Sequence, residues 1–164
     1  MHVVLDGDFC FSEAPWLSWR DIKYGLEHGF LSATGVVEFA VNSLVAESSA
    51  ELYELACLSG SDFEEIQRCL DSLEAKNLGD VEYLEEVWIF LILLWIFMNR
   101  ETYKDPLGVL EELYADFDYP QIMNRLIRYM PAADNFLEGE EQLFKNWSNM
   151  LDSFREKLQA ARSR

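Results

Sequence analysis

Twelve consecutive apolar residues, Val87–Met98 (VWIFLILLWIFM), constrain this chain more than any other stretch. As an α-helix they span roughly 18 Å, at about 1.5 Å per residue, against a hydrocarbon core of about 30 Å. Glu85 and Glu86 close one end, and Asn99 and Arg100 close the other. The run is too short to cross a membrane. A helix that is apolar on every side and not in lipid must be surrounded by protein. A chain of 164 residues is long enough to supply that surrounding as one helical domain over 1–164.

The flanking sequence predicts helices with clear punctuation. Ser18 and Asp21 have the spacing of a capping box, opening a helix through Trp19, Ile22 and Leu26 that stops before Gly29. Ser32 precedes Val36, Val37, Ala40, Val41, Leu44 and Val45, a 3.6-residue period. Ser48 with Glu51, and Ser61 with Glu64, repeat the capping spacing. They stand ahead of Leu52, Leu55 and Ala56, and ahead of Ile66, Cys69, Leu70 and Leu73. Asp80 is expected to open the central helix, and Asp105-Pro106 the next, which carries Leu107, Leu110, Leu113 and Tyr114. Tyr119-Pro120 predicts another, with Ile122, Leu126 and Tyr129 inward and Pro131 as its stop. A last helix over the 132–164 region places Leu143, Phe144, Trp147, Leu151, Phe154 and Leu158 on one stripe. It starts near Glu140 and Glu141 and ends with Lys157, Arg162 and Arg164, charges that suit the helix dipole. Residues 1–15 read as an arm, extended over Val3–Leu5. The expected fold is all-α: a compact bundle of seven to eight mostly short helices around a buried central one.

Charge sets the functional class. Thirty acids against thirteen bases give a formal charge of −17, and the excess is lopsided, with 18 acids and 4 bases in residues 1–86. Such a chain is poorly made for nucleic acid or anionic membranes, which need Lys and Arg. It is well made for a cationic protein surface. Half the residues are apolar, which argues against disorder. Cys10, Cys57 and Cys69 form no C-x-x-C, and Cys57 and Cys69 read as small buried hydrophobes. The N-terminus has Asp6 and Asp8 where a signal peptide would be apolar, so a reducing cytoplasm is the expected compartment.

No catalytic constellation stands out, and no cofactor or metal is expected. Asp116 and Asp118 alternate as hard-cation ligands would, but the rest of an EF-hand is missing. The favoured reading makes Asp118 a backbone acceptor at the start of the Pro120 helix. Arg20, next to Asp21, is a base in the acid-rich half and is expected in a buried or half-buried ion pair that locks the first helix, and His28 sits where a cationic ring suits a helix end. Phosphate loops and nucleophile elbows are absent from the sequence. The strongest binding candidate is an acidic patch of Asp62, Glu64, Glu65, Asp71 and Glu74, joined by Glu51 and Glu54, with Arg68 as its sole base. Glu111, Glu112, Asp116 and Asp118 make a second.

Two segments resemble a known family: WLSWRDIKYGLEHGFLS (Trp16–Ser32), and the apolar run followed by DPLGVLEELYADFDYPQIMNRLIRYMP (Asp105–Pro131). Together, over residues 16–131, they resemble the bacterial domain of unknown function 2247. The resemblance implies no catalytic residues. It implies small, acidic, helical proteins found beside secreted bacterial toxins. The expectation that follows is an immunity protein that binds a cognate toxin domain one-to-one as a monomer, in a contact-dependent or polymorphic toxin system. A basic nuclease, with transfer RNA as the first substrate to consider, is the expected toxin. The alternative is an acidic adaptor or regulator of a basic cellular protein, without a toxin. An enzyme or small-ligand binder using a pocket near Trp88, Trp95 and Tyr119 is a third reading.

Overall fold

The computed structural model describes residues 2–76, 81–128 and 139–163. These form eight α-helices: α1 (Gly7–Glu13), α2 (Trp19–Glu27), α3 (Ala33–Ser43), α4 (Ala50–Ala56), α5 (Phe63–Ala75), α6 (Leu84–Met98), α7 (Pro106–Asp116) and α8 (Glu140–Arg162). Short 3-10 helices span Arg100–Thr102 and Gln121–Leu126. The all-α expectation holds. Among the described residues, the only β feature is an isolated parallel bridge between Leu5 and Leu31. No helix among them is long and apolar enough to cross a membrane.

The chain divides into two units, His2–Leu91 with the residues from Lys157 onward, and Ile92–Glu156. In the first, the expected N-terminal arm holds a helix, α1, after its extended start. Asp6 caps α1, its carboxylate accepting from the Phe9 amide at 2.6 Å. The helix lies directly on α3: a Cβ at Gly7 would stand 1.9 Å from the Gly35 carbonyl oxygen. Only a residue without a side chain permits that approach. Ser18 and Asp21 form the expected capping box of α2, and Ser32 caps α3 through the Gly35 amide. At Gly25 an added Cβ would meet Trp88 Cζ2 at 2.1 Å, so the buried Trp88 ring packs on bare α2 backbone.

The two other expected caps shift along the chain. Ser49, not Ser48, caps α4 by accepting from Leu52 N. Ser48 Oγ instead accepts from Val45 N and tightens the preceding turn. Asp62, not Ser61, stands before α5, and its carboxylate accepts from Ser59 N at 2.8 Å rather than from the helix. Runs of adjacent cap-forming residues leave the register open to such slips, since each can serve. Helix α3 ends at Ser43, so the Val45 end of its expected stripe lies outside it. Val36, Phe39 and Ala40 are buried, whereas Val41 and Val45 are 51% and 61% exposed. Cys57, expected inside, is exposed at the end of α4, while Cys69 is buried.

Helix α6 matches its reading closely. Val87–Leu94 and Ile96 are buried, Trp95 and Phe97 are half-buried, and Met98 is exposed. Its expected opening at Asp80 lies outside the described residues. In the second unit, Phe97 meets the Trp147 ring edge-on at 5.1 Å. Leu143, Trp147, Leu151 and Phe154 of α8 are buried and Phe144 is half-buried, and Leu158, in the first unit, is buried as well. The Pro120 segment forms a 3-10 helix rather than an α-helix; Leu126 is buried, Ile122 is exposed, and Tyr129 and Pro131 lie outside the described residues.

Candidate functional site

Helices α4 and α5 pack on each other, and α5 also packs on α2, which gathers the first acidic patch on one set of helices. It also brings cations that sequence position hides. Lys23 of α2 reaches Asp71 and Glu74, each at 2.9 Å, and Arg20 reaches Glu74 at 3.1 Å. Lys76 pairs with Glu51 at 3.0 Å. Arg68 bonds Glu54 closely and stands 3.6 Å from Glu65. The hydrogen bonds Lys23 donates to Asp71 and to Glu74 hold its ammonium pKa well above its ordinary range. The bond to Glu54 raises the Arg68 guanidinium. Arg68 is therefore one of four bases in the patch, not the sole one. Of the seven candidate acids, Glu64 alone has no partner among the described residues; Asp62 is held by its loop. Ion pairs at a solvated surface add little to stability. Their larger consequence is to blunt the field of the patch.

The second patch divides as well. Arg128 makes hydrogen bonds to Asp105 at 3.0 and 3.2 Å and to Glu111 at 2.8 and 3.2 Å, beside an open cavity of about 510 Å³ that also borders Glu112. Asp105 was expected to cap α7 with its side chain, and the described bonds give that carboxylate to Arg128 instead. The Arg128 bond is the chief reason its pKa lies below the usual carboxylate range. Glu112, Asp116 and Asp118 are exposed.

Asp118 has a backbone role different from the expected one. Its φ is 58°, its amide donates to Ala115 O at 3.1 Å, and the following Tyr119 amide donates to Tyr114 O at 2.7 Å. These two bonds are a Schellman closure of α7, with the Tyr119 ring against Tyr114 at 5.2 Å as its apolar contact. Asp118 thus ends α7 rather than opening the Pro120 segment, where Pro120 stands before the 3-10 helix and no side chain caps it. An L-residue in the left-handed region is strained by roughly 1–2 kcal/mol, and Gly is not. Asp118→Gly is therefore expected to raise stability by up to about 1 kcal/mol and Asp118→Val to lower it; urea midpoints decide this. Lower stability in the glycine variant would return the carboxylate to consideration as a ligand.

The network missed by sequence reasoning surrounds Asp21. Its carboxylate accepts from Ser18 N (2.9 Å) and Ser18 Oγ (3.0 Å), and from Arg162 Nε and Nη2, each at 2.8 Å. Arg162 also donates to Glu82 O, and Trp88 Nε1 donates to Asp21 O at 2.9 Å. Both charged side chains are buried, 0% and 2% exposed. The half-buried ion pair expected of Arg20 is made with Glu74 of α5, while Asp21 pairs with Arg162. His28 stands at the end of α2 as expected, its Nδ1 2.9 Å from Tyr24 O and its ring stacked on Tyr24 at 3.8 Å. Among the described residues, no three His, Cys, Asp or Glu side chains are placed to hold a metal ion.

A further acidic group joins α1 to α3. Glu38 Oε1 accepts from Gly7 N at 3.3 Å, and Asn42 Nδ2 donates to Asp8 at 2.7 Å and to Glu38 O at 2.9 Å. Partial burial, then Asp8 and Asp6, push the Glu38 carboxyl above its ordinary range. Burial, helped by Asp6 and Glu38, pushes the Cys10 thiol up to about 12, which keeps it protonated and inert. The Asp6 cap was the sequence signal that could have revealed this group.

No curated protein and no solved structure matches the chain. A family model does, over residues 7–155, so the pattern takes in α1 and most of α8 as well as the 16–131 core. The chain belongs to the family described as uncharacterized protein conserved in bacteria (DUF2247).

Proposed function

We propose that this protein is an immunity protein, which binds the toxic domain of a secreted bacterial protein and blocks it. The observation that carries this reading is the distribution of charge. Residues 1–19 and 29–67 hold ten carboxylates and no Lys or Arg, and they build α1, α3, α4 and the start of α5. The cations that temper this region come from α2 and from Arg68 and Lys76. A nuclease must carry Lys and Arg to engage phosphates. An acidic protein surface meets those same cations, which speeds encounter and covers the site. A transfer-RNA-cleaving domain is the first partner to test.

The experiment reads the genes flanking this one for a large secreted protein and co-expresses its C-terminal domain; a locus without one speaks against the reading. The expected result is growth in cells that would otherwise be killed, and a one-to-one complex on gel filtration. Killing that this protein leaves unchanged would refute the immunity reading and favour an acidic adaptor of a basic cellular protein.

A further inference from the structure

We infer that the toxin domain is gripped on the α3–α4 face, where exposed Val41, Val45 and Tyr53 form an apolar centre edged by Asp8, Glu38 and Glu47. This rests on the immunity reading and names the surface that carries it. Bonds tie these residues into two neighbouring sets, one on α3 and one in the turn after it. Glu38, Val41 and Asn42 stand at i, i+3 and i+4 on one face of α3. Asn42 holds Asp8 against that face. Tyr53 Oη donates to Val45 O at 2.9 Å, and the Val45–Ser48 turn carries Glu47.

Three observations separate this surface from the α4–α5 patch. Its apolar side chains are open to solvent, with Val41, Val45 and Tyr53 at 51%, 61% and 43% exposure. Single exposed apolar residues are ordinary, but a joined group inside a charged edge has the anatomy of an interface. Second, Asp8, Glu38 and Glu47 have no ion pair among the described residues, whereas most α4–α5 acids already have one. Third, no Lys or Arg lies between residues 1 and 19 or between 29 and 67, the stretches that build this face. A basic partner supplies the missing charge, and the aliphatic stems of its Lys and Arg side chains cover Val41 and Val45. A guanidinium over the Tyr53 ring adds a cation–π contact.

The test measures binding of the neighbouring toxin domain to wild type, V41S/Y53S, V45K and E64K/E65K, each checked by circular dichroism. V45K alters one exposed residue beyond the end of α3, so it remains informative if V41S/Y53S folds poorly. The first two variants are expected to dissociate at least about tenfold faster, as central contacts do. E64K/E65K is expected to change the dissociation rate by less than about twofold and only to slow association. Wild-type dissociation in V41S/Y53S and V45K, with fast dissociation in E64K/E65K, would overturn this surface and leave the immunity reading standing. A wild-type protein that binds no such domain would overturn both.

Discussion

Replacing Arg162 by methionine is expected to cost about 3–5 kcal/mol, because it leaves the Asp21 carboxylate buried without its counter-charge. Total stability for such a domain is about 5–15 kcal/mol, so the variant should lose a large part of its folded population. The side chain sits 141 residues from its partner, so the loss would show that the end of α8 is tied to α2 by more than apolar packing. Asp21→Asn with Arg162→Met removes both charges while the Asn side-chain oxygen can still accept from Ser18 N, and should recover much of the loss. Urea unfolding of the single and double variants measures the coupling. Near-wild-type stability in the single variant would mean that the pair is not buried in solution.

Leu93→Asp should abolish folding. Leu93 is 1% exposed, and its neighbours along α6 offer no cation, so a carboxylate there is buried without a partner. That costs several kcal/mol, in addition to the lost apolar contact. Leu93→Met keeps volume and polarity and should cost less than about 1.5 kcal/mol. Solubility of the expressed protein and its far-ultraviolet dichroism decide between the outcomes. A folded, soluble Leu93→Asp protein would contradict the placement of α6 in the core.

The sequence revealed α6 and the helices flanked by clear caps, because these signals are local. An all-apolar run fits a buried helix, and Ser18 and Ser32 each stand alone as the obvious acceptor before a helix. Where Ser48 and Ser49, or Ser61 and Asp62, adjoin, either can stand before the helix, and in both places the second does. Val41 continues the periodic stripe of α3 yet faces water, since periodicity reports the spacing of apolar residues and not where a partner helix stops. Charge was the least legible property. Counting along the chain found Arg68 beside the α4–α5 acids, but Arg20, Lys23 and Lys76 join them only when the helices pack. The same blindness hid Arg162, whose charge appeared to serve the α8 dipole and instead enters a buried cluster.

The most direct test of the immunity account is the rate at which the purified protein associates with the neighbouring toxin domain, measured from about 50 to about 500 mM salt. Over that range the screening length falls from roughly 14 to 4 Å. Association should slow by about tenfold or more while dissociation changes little, because opposed charges act mainly on encounter. A complex whose association rate is indifferent to salt, or no complex at all, would contradict it.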